Sequence, residues 1–230
     1  MRVALAYTSY IVVAVAWTLA YIAIIHRSWR DQTYGMPILA MAANISWEGL
    51  FAFVFPTPPV LWYRNLLWFT LDVIIAAQCL RYARQEFTHP ELKARPQLVV
   101  FGTLALTCAV VWAFIWEFQD LRGWYSGFAM NLLMSVLFVA MLLNRNDIRG
   151  QSLYVGLLKW LGTLGAITAV IVASPPNVLT AFTGVLPEYW TPPSTLMLVM
   201  YAIIFIFDWI YIVAVYHMCR RDGINPWMRW

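Results

Sequence analysis

Residues 196–218 read LMLVMYAIIFIFDWIYIVAVYHM, with one formally charged side chain, Asp208, in the whole run. A helix needs roughly 20 apolar residues to cross about 30 Å of hydrocarbon, so this stretch is read as a membrane span. Working outward, six more stretches qualify: 3–25, 36–55, 60–80, 98–118, 124–143 and 153–173. The composition agrees. Of 230 residues, 62% are hydrophobic and 11% charged, where a soluble domain carries roughly 25% charge. Within lipid every backbone polar group must be satisfied inside the segment, so the spans are helices. The fold class is all-α: a polytopic membrane protein, a seven-transmembrane-helix bundle, with residues 1–230 forming one transmembrane domain.

The connectors sort by charge. Arg27, Arg30, Arg81, Arg84, Lys93, Arg95, Arg145, Arg149, Arg220, Arg221 and Arg229 fall on one side, and only Arg2, Arg64 and Arg122 on the other, with Lys159 just inside a span. Cytoplasmic loops carry the basic excess. The C-terminus is therefore expected in the cytoplasm and the N-terminus outside or in the lumen, as an odd number of spans requires. Read by position, the net charge of +4 is a topology signal and not a nucleic-acid footprint. The stretch 3–25 is too long for a signal-peptide core and lacks a clear cleavage site, so it is expected to be retained. Cys79, Cys108 and Cys219, like His26, His89 and His217, are scattered without metal-ligand spacing, and no metal or cofactor is expected. The Pro-rich connector 174–195, with Pro187 and Trp190, is either a lid over the bundle mouth or a passive interfacial loop.

Acids inside spans are costly, about 2.5–3.5 kcal/mol each on insertion scales, and usually face a bundle interior or a wet cavity. Three lie deep, Glu48, Asp72 and Asp208, and Glu117 sits near a span end. No Lys or Arg is expected at similar depth to neutralise them. Asn44 and Glu48 stand at i, i+4 and share a helix face with Phe51, and Trp47 is adjacent. Trp68 and Phe69 lie one turn before Asp72; Tyr201, Ile204, Asp208 and Tyr211 form another stripe; Trp112 and Trp116 are at i, i+4 before Glu117. A carboxyl sealed in an apolar pocket keeps its proton near neutral pH because desolvation disfavours the anion, which makes such a residue a candidate general acid. Aromatic faces stabilise a cation by about 0.5–2 kcal/mol each. Acid and aromatics together suit a carbocation cyclisation. Hydrogen bonding between helices is the plainer reading of any one buried acid, and interfacial anchoring accounts for Trp62, Trp124, Trp190, Trp227 and Trp230.

Asp31-Gln32-Thr33-Tyr34-Gly35-Met36-Pro37, then Asn44-Ile45-Ser46-Trp47-Glu48, closed by Phe55-Pro56, resembles the signature of the integral-membrane terpene cyclases of fungal meroterpenoid and indole-diterpene pathways, the pyripyropene and paxilline type. Arg149-Gly150-Gln151-Ser152 with Tyr154, Lys159 and Leu161-Gly162, and Asp208 with Tyr211, extend the likeness over essentially the whole chain. The resemblance implies that Glu48 and Asp208 are catalytic. It also implies a hydrophobic prenylated small-molecule substrate in the lipid bilayer, cyclised without a metal or the ionisation of a diphosphate, and functional coupling to a prenyltransferase and an epoxidase. D-D-x-x-D and D-x-D-D motifs are absent from the chain. Fold, aromatics and acids give one expected mechanism. Glu48 protonates a terminal epoxide or alkene, Asn44 orients it, and Asp208, ionised or sharing a proton with Tyr211, stabilises charge or helps remove the last proton. Asn44, Trp47, Trp68, Asp72, Trp112, Trp116, Glu117, Tyr201 and Tyr211 are the expected substrate-binding residues, with the role of Glu117 open.

The rival reading is a small proton-coupled transporter, because intramembrane carboxylates also form proton relays. Pro96-Gln97 is reminiscent of PQ-loop transporters, although no second copy appears. A retinal-type receptor is disfavoured, because the last span has no lysine.

Overall fold

The computed structural model describes residues 2–55, 57–173 and 194–230. Among the described residues eight α-helices run α1 Arg2–Asp31, α2 Ile38–Phe53, α3 Pro59–Glu86, α4 Pro90–Ala94, α5 Pro96–Glu117, α6 Trp124–Arg145, α7 Leu153–Ala173 and α8 Thr195–Arg221, and a 3₁₀ turn covers Pro226–Met228. No strand occurs among the described residues. Proline opens α3, α4 and α5, where its fixed φ suits a first turn and its missing N–H costs nothing. The Pro-rich connector, expected as a lid or a passive interfacial loop, lies outside the described residues from 174 to 193, and Pro187 and Trp190 with it.

Among the described residues six helices are long and apolar enough to span a membrane: α1, α3, α5, α6, α7 and α8. The expected second span, 36–55, is shorter than predicted. Helix α2 has 16 residues, which rise about 24 Å at 1.5 Å each, because Pro37 precedes its first turn and the chain meets Pro56 and Pro58 soon after its last. It is also the helix most enclosed by protein. Helices α3, α5 and α6 pack against it, and 11 of its 16 residues are buried. Ala40, Ala42, Ala43 and Ser46 are among them, small side chains that let helices approach closely where no hydrophobic force drives association.

Neighbouring contacts close a ring in the order α1, α7, α8, α6, α2, α3 and back to α1, with α5 against the outside of α2. Outward faces are apolar: Leu106 and Val110 on α5 and Ile206 and Val213 on α8 are exposed. Such faces need lipid to cover them.

At the arginine-rich end, two connectors are tied together. Asp31 meets Arg27, accepts from the Gly150 N–H at 2.8 Å and from Arg229 at 2.5 Å. Glu86 receives Thr33 at 2.8 Å, Arg145 at 3.4 Å and Arg149 at 3.3 Å. Gly35 is required by close approach, since a Cβ there would lie 2.7 Å from the Gly150 carbonyl oxygen. So the stretch 31–37 and the stretch 149–152 form one clasp, far along the helices from Glu48.

Candidate functional site

A cavity of about 180 Å³ lies towards the other end of the ring. Each wall is a helical stripe: Tyr10, Val13, Trp17 and Tyr21 from α1, Asn44, Trp47 and Glu48 from α2, Leu61, Arg64 and Trp68 from α3, Phe128, Asn131 and Met134 from α6, and Ala166 and Ala169 from α7. Spacings of three and four residues put these side chains on single faces. The lining is mostly apolar and aromatic with few polar groups, the usual make-up of a small-molecule site.

The polar groups converge. The Tyr21 hydroxyl donates to Glu48 Oε1 at 2.6 Å. The Asn44 amide lies 2.6 Å from the Tyr21 hydroxyl, 3.1 Å from Glu48 Oε1 and 2.7 Å from Asp72 Oδ2. Glu48 is 1% exposed and Asp72 fully buried. Among the described residues, neither has a cation within ion-pair distance, and Glu48 Oε2 and Asp72 Oδ1 have no hydrogen-bond partner. Two unpaired buried anions would be costly to hold. A proton shared within the pair removes one of the two charges. Trp68 stands beside this cluster, its ring 6.1 Å from that of Tyr21 and its indole N–H on Thr18 at 3.0 Å.

Trp47 is fixed from the opposite direction. Its indole N–H donates to Ser126 Oγ at 2.9 Å, and Ser126 donates through its hydroxyl (2.8 Å) and backbone N–H (2.7 Å) to Asp120 Oδ2. Asp120 also accepts the Trp124 N–H at 3.0 Å, so it caps the start of α6, where a carboxylate satisfies free N–H groups and meets the positive dipole end. Burial pushes its carboxyl up from the ordinary aspartate range, opposed by the hydrogen bonds from Ser126. Gly123, at φ +68°, lets the chain turn into α6 beneath Trp47; a Cβ there would meet the indole at 2.6 Å.

Asp208 is placed elsewhere. It forms a buried ion pair with Lys159, which corrects the expectation that no cation neutralises the intramembrane acids. Lys159 reads in sequence as lying near a span end, but α7 begins at Leu153 and carries it into the bundle. Its ammonium also donates to Ser135 at 2.6 Å. Ser135 donates to the Asn131 backbone carbonyl, and the Asn131 amide donates to Thr163, each at 2.8 Å. Of this group, Asn131 reaches the cavity wall. Tyr211 does not share a proton with Asp208. Its hydroxyl donates to Gln151 Oε1 at 2.6 Å.

The structure thus brings Asn44, Trp47, Glu48, Trp68 and Asp72 together. It leaves apart Trp112 and Trp116, which are 47% and 58% exposed and stack on each other on the outer face of α5, whose inward residues are Val111 and Ile115. Glu117 ends that helix, exposed. Tyr201 is buried, but behind the wall, against Phe128 at 4.6 Å. Trp124, read as an interfacial anchor, lines the cavity. Sequence reading missed Tyr21, Arg64, Arg122, Asn131 and Ser126. For Tyr21 a signal existed: Tyr10, Trp17 and Tyr21 recur at seven and four residues, an aromatic stripe on one face of α1.

Comparison with known proteins bears on what such a cavity does. The family model described as Pyr4-like transmembrane terpene cyclases matches residues 1–221. Among individual relatives, the chain is 27% identical over 227 residues to asnovolin H synthase nvfL of Aspergillus novofumigatus, covering 94% of this chain and 86% of that one. It is 30% identical over 153 residues to the Pyr4-family terpene cyclase mfmH of Annulohypoxylon moriforme, covering 65% of this chain and 63% of that one. To the terpene cyclase dpasB of Apiospora sacchari it is 31% identical over 165 residues, covering 68% and 66%. No solved structure matches.

Proposed function

The chain belongs to the Pyr4-like transmembrane terpene cyclases, and from that premise we propose that it cyclises a prenylated aromatic or heteroaromatic substrate by protonation, without a metal and without ionising a diphosphate. A multi-pass membrane protein of this family works on a hydrophobic substrate among lipids. Its reaction in this chain begins at Glu48.

The observation that carries the reading is the position of Glu48: its carboxyl lines an aromatic cavity and is gripped by Tyr21 and Asn44. Glu48 delivers its proton to the terminal epoxide or alkene of the folded polyene. The cation that forms is attacked by successive double bonds, each step making one C–C bond and moving the charge along the chain. Trp17, Trp47, Trp68 and Phe128 present π faces to that travelling charge. The last proton leaves to the Glu48–Asp72 pair, which then holds the same number of protons as at the start, and the product is an isomer of the substrate. Asn44 and Tyr21 orient the acid. Asp208 touches no part of the cavity, and we assign it a positioning role: with Lys159 and Ser135 it sets Asn131 in the wall.

Helix α2 completes a seven-helix bundle that works as a single domain, sheltered by its neighbours and not by its own length. The arginine-rich clasp faces the cytoplasm and the cavity opens towards the other side. A prenyltransferase, and an epoxidase where an epoxide is used, must supply the substrate.

Membranes or purified protein given an epoxyfarnesyl arene are expected to form a cyclised product of unchanged mass, and Glu48→Gln to abolish it. Turnover by Glu48→Gln at the wild-type rate would overturn the acid assignment.

A further inference from the structure

The wall carries two groups that the cyclisation leaves unused, Arg64 and Arg122. Elsewhere, buried or half-buried arginines meet carboxylates: Arg27 and Arg229 on Asp31, Arg145 on Glu86. Arg64 has none within ion-pair distance among the described residues. It donates only to its neighbour, the Asn65 side-chain oxygen, from Nε at 3.2 Å and from one terminal nitrogen at 2.8 Å, and its guanidinium lies over the Trp68 ring at 4.8 Å. Arg122, on the connector before α6, makes no ion pair among the described residues either. Both cations line one mostly apolar cavity, the half-buried Arg64 and the exposed Arg122, and a cavity so lined favours an anion. A guanidinium fork also matches two acidic oxygens at once.

Position adds a direction. Arg64, Trp68 and Asp72 follow at i, i+4 and i+8 on α3, so Arg64 stands about two turns nearer the cavity mouth than Asp72, with about 12 Å of backbone rise between them at 1.5 Å per residue. An elongated amphiphile fits that axis, with its charged end at Arg64 and Arg122, its chain along Trp68 and Trp17, and its far end at Glu48.

We infer that Arg64 and Arg122 are specificity-determining residues that hold an ionised oxygen acid, above all a carboxylate, on the head group, so that this chain takes an acidic prenylated arene in preference to its neutral ester. The fate of the far end rests on the cyclase reading; the head-group site does not. The same fork would also take the phosphate of a phospholipid, and the test separates the two.

Three probes are compared at neutral pH: 3-(epoxyfarnesyl)-4-hydroxybenzoic acid, its methyl ester, and the same phenol lacking the carboxyl group. Binding to the full chain is measured by equilibrium dialysis, in maltoside micelles that hold no phosphate and in phosphatidylcholine discs. The acid is expected to bind about tenfold or more tighter than either neutral probe in both, as a charge-assisted pair supports. Arg64→Gln and Arg122→Gln each shrink that ratio, and Arg64→Lys keeps part of it. Arg122 is exposed, so its variant tests the site without disturbing a buried contact. Equal binding of acid and ester by the wild type, or a preference that survives both glutamine variants, overturns the inference. A preference present in micelles and lost in the discs assigns the pair to lipid phosphate and overturns it too. The same samples are assayed for isomer formation: acid preference without any cyclised product keeps the head-group site and removes the cyclase reading, whereas product without acid preference does the reverse.

Discussion

Glu48 offers one carboxyl oxygen to Tyr21 and Asn44 and leaves the other without a partner among the described residues. An acid held by one oxygen and free at the other can be both aimed and reactive. Glu48→Gln keeps the shape and an N–H donor but has no acidic proton; general acid catalysis contributes about 10²–10⁴-fold, so isomer formation should fall by at least about a hundredfold while the melting temperature in detergent stays near that of the wild type. Tyr21→Phe removes one oriented hydrogen bond. Its kcat is expected to drop about tenfold, on the scale of one neutral hydrogen bond, with KM little changed; a change confined to KM would contradict an orienting role. At this scale the sequence was readable where partners are close in it. Asn44 and Glu48 are four residues apart and announce a shared face, whereas Tyr21 reaches Glu48 across 27 residues, a contact set by how α1 leans on α3, which in turn packs on α2.

The start of α6 is the element on which the cavity wall depends. Asp120 caps it, Ser126 joins the cap to Trp47, and Gly123 makes the turn. Asp120→Ala should cost about 1 kcal/mol for the lost cap, read as a lower melting temperature, and release the Trp47 indole, read as a changed product ratio from the same substrate. Gly123→Ala adds a methyl group into Trp47 and forces a residue with a Cβ into left-handed backbone, so it should impair turnover more than stability. An active Gly123→Ala enzyme with wild-type products would remove this wall from the site. The helices themselves were legible, since period and length are written in the apolar runs. Helix α2 was legible in kind but not in extent, because its flanking prolines cut short a run that hydropathy alone extends. Trp112 and Trp116 misled for a related reason: i, i+4 spacing fixes that they share a face, not which way the face turns, and α5 packs by Val111 and Ile115.

Across the whole molecule, the Lys159–Asp208 pair is buried between α7 and α8, with exposures of 4% and 3%. Removing one partner strands the other's charge, which costs about 3–5 kcal/mol, while replacing both with apolar residues is often neutral or better. Asp208→Asn should therefore melt far below the wild type. Lys159→Met with Asp208→Leu should recover the fold and, if the pair positions Asn131 and does not itself react, recover measurable turnover. A stable double variant with none would return Asp208 to the chemistry. Orientation has its own check: cysteines placed at Arg84 and at Gln119 should label from opposite sides of sealed vesicles, the first from the cytoplasm. Charge sorting between loops is visible in sequence; this ion pair was not, because pairing depends on helix depth and rotation.

The clasp at the arginine-rich end gives the bundle a fixed handle. Asp31 and Glu86 lash the connectors and the C-terminal tail together there, whereas among the described residues the cavity end is joined by Asp120, Ser126 and Trp47 and by the Trp62 indole on the Ala52 carbonyl. A bundle tied at one end yields first at the other, so guest molecules are expected to load and leave by the end that carries Arg64. If that end is lumenal, as the charge sorting between loops predicts, substrate and product would exchange on one face of the membrane only.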